Sequence, residues 1–180
     1  MIFRFDHKSV EGSLKYLLFG AFSTGVMIYG MSWLYGMSGT LYLGQMIDTL
    51  PSLEQPLVLI GVLLTLGGVL FKIADFQFHF WVPEVYESAP VSIPAYLCLA
   101  PKAAAAGALF HLLSFLELTT AQHPLFYNLL ALIGLLSIFI GNLAAFWQER
   151  FKRLLAYSSI AHAGFLILAL LPGTKETGVY

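Results

Sequence analysis

Two lysines, Lys72 and Lys102, sit inside long apolar stretches of this chain, and Asp75 stands three residues after the first. A lysine at the centre of a membrane span costs about 2.5 to 3.5 kcal/mol on insertion scales, so such residues face a bundle interior or a water-filled cavity. Burial disfavours a charged amine and a nearby acid favours it. A lysine held between those tendencies can take up and release protons. Lys72 and Asp75 share one helical face and can neutralise each other as a buried ion pair. Lys102 has no such option, because 88–101 and 103–116 contain no charged residue. Its partner must come from another helix, and snorkelling to the headgroups is the lesser alternative at that depth.

Other protonatable groups flank these charges. His79 follows Lys72 by seven residues and Asp75 by four, so in continuous helix the three form one stripe and a candidate relay. Taken alone, a histidine in an apolar helix is more often neutral and simply hydrogen-bonded. His111 lies nine residues beyond Lys102, and Ser158 and His162 are four apart on one face. Polar contacts between helices explain this last group as well as proton conduction does. Lys15 is either a charge near the path or an interfacial anchor. Ala103 and Gly107 form a small-xxx-small pair that lets another helix approach Lys102. No phosphate loop, dinucleotide fingerprint, HExxH zinc motif or nucleophile elbow is present. The chain offers protonatable groups without a catalytic constellation, so no catalytic, metal-binding or cofactor-binding residue is assigned.

The elements that must carry these residues are membrane helices. Of 180 residues, 58% are apolar and 11% charged, against about 25% charged in a soluble domain, and mean hydropathy is +0.79. A net charge of −1 removes the basic footprint of nucleic-acid binding. The single cysteine, Cys98, excludes an internal disulfide and a cysteine-held zinc or iron–sulfur site within the chain. Five apolar runs approach the roughly 20 residues that a span requires, at about 14–37, 57–81, 93–116, 125–147 and 154–171. Prolines 51, 56, 83, 90 and 124 fall between them, and Pro94 stands at the start of the third. The first run is too long for a signal peptide core and reads as a retained span. Arg150, Lys152 and Arg153 place the fourth connection in the cytoplasm. The odd spans then run outward and the lysine-free loop 38–56 lies outside. The loop 83–92 is inside, though it carries only Glu84 and Glu87.

The stretch from Phe71-Lys72 through Phe78-His79-Phe80-Trp81-Val82-Pro83-Glu84-Val85-Tyr86-Glu87-Ser88-Ala89-Pro90 resembles a signature of the antiporter-like membrane subunits of respiratory complex I. Three further stretches point to the subunit N branch. They are Glu11-Gly12-Ser13-Leu14-Lys15-Tyr16, Ala100-Pro101-Lys102-Ala103-Ala104, and Gly141-Asn142-Leu143 with Lys152-Arg153-Leu154-Leu155-Ala156-Tyr157-Ser158-Ser159-Ile160-Ala161-His162. The resemblance covers nearly the whole chain and implies an all-α, polytopic membrane protein. Its five spans resemble helices six to ten of a fourteen-helix fold, so residues 1–180 are expected to be a partial proton-conducting domain, an internal fragment.

In that family the seventh helix is broken in mid-membrane. Here Gln77 replaces the usual proline before Phe-His, so the second span is expected to break more mildly, if at all. The resemblance implies that Lys72, Lys102 and Lys15 match lysines of a hydrated proton path driven by quinone reduction in other subunits. His79, His111 and His162 are candidate connectors and Asp75 a candidate modulator that could trap a proton on Lys72. The family's key glutamate on the fifth helix and lysine on the twelfth have no counterpart within these 180 residues. Expected partners are the lipid bilayer and other complex I membrane subunits, with NADH, FMN, iron–sulfur clusters and quinone in partner subunits and none here. The expected location is the inner (plasma) membrane, or a mitochondrial or thylakoid membrane in an organelle. The alternatives are a cation/proton antiporter or membrane-bound hydrogenase subunit, or a fragment with a purely structural role.

The orientation is testable with Cys98 replaced by serine. A cysteine at Gln148 should react with a membrane-impermeant maleimide from the cytoplasmic side, and one at Gly39 from the opposite side. The reverse pattern would invert the topology.

Overall fold

The structure, a computed structural model, describes residues 7–50, 55–73, 79–119 and 123–171. Its described elements are helices: α1 (His7–Ser38), α2 (Leu43–Thr49), α3 (Gln55–Ile73), α4 (Trp81–Ser88), α5 (Ser92–Thr119), α6 (His123–Phe146) and α7 (Phe151–Leu170). Five stretches are long and apolar enough to cross a membrane: Ser9–Ser38, Pro56–Ile73, Ser92–Phe115, Phe126–Phe146 and Phe151–Leu170. Four of these coincide with the expected spans to within a few residues.

The second span departs from its expected course. No single helix runs over 57–81: α3 is described as far as Ile73, His79 and Phe80 form a turn, and Trp81, assigned to the end of the span, opens a separate helix. Residues 83–92, expected as a loop, largely belong to α4. Pro83 is compatible with this helix, because proline breaks a helix interior yet is tolerated in the first turn, where its missing N–H has no partner to lose. Pro83 is the third residue of α4. Pro90 ends the same helix by forcing Ala89 into extended backbone, φ −88° and ψ 156°. Gln77 and Asp75 lie outside the described residues. The second span is thus two helices, and the stripe that was to join Lys72 to His79 along continuous helix is not formed, since His79 lies in the turn leading into α4.

Close packing of small residues pairs the long helices. In lipid, helices gain little from excluding water, so association relies on close contact. On α3, a Cβ at Gly68 would lie 2.4 Å from Met27 Cβ of α1. On α6, a Cβ at Gly141 would lie 2.7 Å from the Ala161 nitrogen of α7, and one at Gly164 of α7 would lie 2.5 Å from the Gly134 carbonyl. Neither backbone can give way. Val58, Val62, Leu66, Val69 and Ile73 form the buried stripe of α3 at three- and four-residue steps. They meet Leu109 and Leu113 of α5, Leu130 of α6 and Ile167 of α7 in one apolar core.

A second apolar cluster surrounds α4 and positions the site. Val82, Val85 and Tyr86 are buried there with Phe71, Leu97, Ala156 and Ile160, drawn from α3, α5 and α7. Tyr16 of α1 rests against the Trp81 ring at 5.2 Å between centroids, and Phe71 of α3 stacks on the same ring at 5.6 Å. Four helices therefore hold an element that is too short to be stable alone. Gly164→Val should wedge α6 from α7 and destabilise the protein by about 1–3 kcal/mol. A lower thermal midpoint of the detergent-purified protein would register it, and an unchanged midpoint would refute the close-contact account.

Candidate functional site: a buried lysine between two cavities

Lys102 is 7% exposed, so it does not snorkel to a surface of this bundle. Its Nζ donates to the Ser159 carbonyl at 2.5 Å and lies 3.2 Å from Ser159 Oγ. The expected partner from another helix is therefore α7, but it is a neutral serine. Two local features bring the lysine there. Pro101 lies inside α5 and supplies no N–H to the carbonyl one turn earlier, which weakens the helix ladder beside Lys102. Ala156, Ser159, Ala161, Ala163 and Gly164 give α7 a buried face of mostly small side chains.

Space lies on either side of this lysine. An inner cavity of about 70 Å³ is lined by Tyr16, Gly20, Phe71, Lys72, Trp81, Tyr86, Leu97, Pro101 and Lys102. That is room for water where polar partners exist. The Trp81 indole N–H is buried and has no acceptor among the described residues. A larger groove, about 450 Å³, carries Lys102, Ser158, Ser159, His162 and Lys152 on its wall. Lys72 and Lys102, found from the sequence as separate intramembrane charges, thus line the same inner cavity. Lys72 itself is exposed in this chain.

The remaining sequence candidates divide. His162 lines the groove, with Nδ1 2.7 Å from the Ser158 carbonyl and 3.5 Å from Ser158 Oγ, so the expected shared face exists. His79 stacks on Phe80 at 4.5 Å and approaches the Tyr157 ring at 6.5 Å. It lines neither cavity. His111 is exposed on α5 beside Phe110 and is likewise absent from both walls. Lys15 pairs with Glu11 at 2.7 Å and with Glu84 of α4. Among the described residues no three His, Cys, Asp or Glu side chains converge as metal ligands.

Several contributing residues were not singled out in the sequence. Glu84 and Glu87, which bore only on orientation there, attach α4 to two neighbours: Glu84 to Lys15 of α1, and Glu87 to Arg150 and Arg153 at the start of α7. Lys152 donates to the Ala89 carbonyl at 2.8 Å and reaches that of Glu87 at 3.4 Å. A cation there satisfies carbonyls that a helix C-terminus leaves free and matches its negative dipole end. The legible signal was charge: two acids in one connection facing three bases in another. Tyr86 and Trp81 gave no signal beyond the resemblance, because aromatic residues in an apolar chain are most often packing.

The architecture is shared with known proteins. The family described as "NADH:quinone oxidoreductase/Mrp antiporter, TM" matches residues 1–179. NADH-quinone oxidoreductase subunit N 2 of Solibacter usitatus is 42% identical over 98% of this chain and 36% of its own length. Its namesake in Syntrophobacter fumaroxidans is 43% identical over 90% of this chain and 34% of its own. The chain therefore spans about a third of the curated relatives it matches. Among solved structures, an archaeal membrane-bound sulfane sulfur reductase superposes with TM-score 0.88 at 26% identity, over 97% of this chain and 36% of that one. Respiratory complex I from Thermus thermophilus superposes at TM-score 0.76 and 39% identity, over 93% of this chain and 35% of that one. Multi-pass, all-helical and carrying the same fold, the chain belongs to the transmembrane family of NADH:quinone oxidoreductases and Mrp antiporters, alongside the subunit N proteins.

Proposed function

We propose that this chain is a proton-conducting part of a subunit N protein, working in a complex that couples electron transfer from NADH to quinone to proton translocation. One observation carries the reading: a buried lysine, held by a neutral serine, stands between an inner cavity shared with Lys72 and a groove shared with His162. A carboxylate partner would fix a charge on the lysine. Neutral acceptors hold the ammonium while leaving the free amine accessible, which suits a group that must bind and release a proton.

In this reading Lys72 and Lys102 carry protons, water in the inner cavity connects them, and the face from Ser158 to His162 leads toward the groove. Lys15 acts through α4, whose Glu84 it binds, and Asp75 modulates Lys72. His79 and His111 would then join through water outside the two cavities. Redox chemistry belongs to partner subunits, where NADH, FMN, iron–sulfur clusters and quinone are bound, and this chain holds none of them. Other membrane subunits and the remainder of a longer polypeptide complete the path, and the whole resides in the inner (plasma) membrane or its organellar equivalent.

The likeness to a sulfane sulfur reductase at TM-score 0.88 supports a second reading, a membrane subunit of a related respiratory complex or cation/proton antiporter. Transport that depends on sodium would select it. For the first reading, Lys102→Ala in the full-length subunit should lower proton pumping by the assembled complex about tenfold or more. Parental pumping would contradict the carrier role.

A further inference from the structure

The inner cavity and the groove lie on opposite sides of α4 and α5. Helices α1 and α3 contribute to the inner cavity alone, and α7 contributes to the groove alone. Along α5, Leu97 and Pro101 are on the inner wall, whereas Cys98 and Leu99 are on the groove wall. Two side chains belong to both walls: Lys102 of α5 and Tyr86 of α4. The two spaces therefore meet at an amine and an aromatic ring. A water chain running past that ring would let protons cross from one space to the other without ever loading the lysine.

The ring is held where it can prevent this. Tyr86 is 1% exposed and packs with Leu97 of α5 and with Ala156 and Ile160 of α7. Its hydroxyl accepts from Cys98 Sγ of the groove wall at 3.3 Å. A thiol is a weak donor, so the ring's bulk rather than this bond fills the gap. Its backbone is fixed as well. Glu87, the next residue, pairs with Arg150 and Arg153, Glu84 pairs with Lys15, and Lys152 donates to the Ala89 carbonyl at 2.8 Å. The ring cannot withdraw without disturbing contacts to α1 and α7. Apolar constrictions of this kind resist wetting and so interrupt conduction.

We propose that the Tyr86 ring is the barrier between the inner cavity and the groove, so that a proton passes from one to the other only on the Lys102 nitrogen. The proposal rests on the reading of Lys102 as a carrier. When the ammonium passes a proton to a water on one side, the neutral amine that remains takes a proton from a water on the other. Tyr86 keeps its own proton throughout. Its part is to keep the two waters from touching.

The test places the assembled complex containing the full-length subunit in liposomes and measures passive proton permeability without NADH, then pumping with it. Tyr86→Ala leaves a cavity where the ring stood and joins the two spaces, so passive permeability should rise about tenfold or more while electron transfer to quinone persists. The conservative Tyr86→Phe keeps the ring and should restore the parental permeability. Combining Tyr86→Ala with Lys102→Ala should leave the leak in place, because the bypass does not use the amine. Parental permeability in Tyr86→Ala, or a leak that vanishes in the double variant, would overturn the proposal. A leak in Tyr86→Phe would overturn it too, by assigning the effect to the hydroxyl. Parental pumping in Lys102→Ala would instead remove the reading beneath it. Should Tyr86→Ala fail to assemble, Tyr86→Val decides alone: raised permeability supports the barrier and parental permeability overturns it.

Discussion

The contact between the Lys102 ammonium and Ser159 is the constraint around which the site is arranged. An amine inside an apolar bundle forfeits hydration worth several kcal/mol or more, and only aimed acceptors offset that loss. Ser159 can supply them only if α5 and α7 approach closely, which the small face of α7 permits. Because α7 is itself fixed against α6 through Gly134, Gly141 and Gly164, the placement of Ser159 beside the lysine depends in turn on α6.

The divided second span supplies the other half of the arrangement. A continuous helix would fill the place where Trp81 and Tyr86 now face Lys102 across an inner cavity. A short helix in that place needs external support, and α4 receives it from apolar contacts on four sides and from cations of two neighbouring helices. Surface ion pairs contribute little individually. Here they work as a network across α1, α4 and α7, fixing where α4 lies rather than adding much stability. Family membership fits this division of labour, since the same helices recur in a sulfane sulfur reductase and in respiratory complex I.

Much of this was legible in the sequence. Hydropathy alone located four spans, because a bilayer imposes length and apolarity on each helix separately. Lys102 was identifiable as a buried charge awaiting a partner from another helix, since its own run offered none. The turn at His79 and Phe80 that divides the second span could be anticipated only from the resemblance, and the helix 81–88 reads as a loop in the sequence because Pro83 looks the same in a first turn as in a connection. Ser159 was invisible as the lysine's partner for a different reason. Which serine meets a given lysine depends on how the helices are rotated against one another, and apolar periodicity of low amphipathic contrast does not encode that.

The central claim is that Lys102 communicates with Lys72 through a hydrated inner cavity. The most direct measurement is a cryo-EM map of the assembled complex at a resolution that shows ordered water. The account requires water density linking the Lys72 and Lys102 ammonium groups, with one molecule accepting from the Trp81 indole N–H. A dry cavity, with the Trp81 N–H bonded to protein and no water between the lysines, would contradict it.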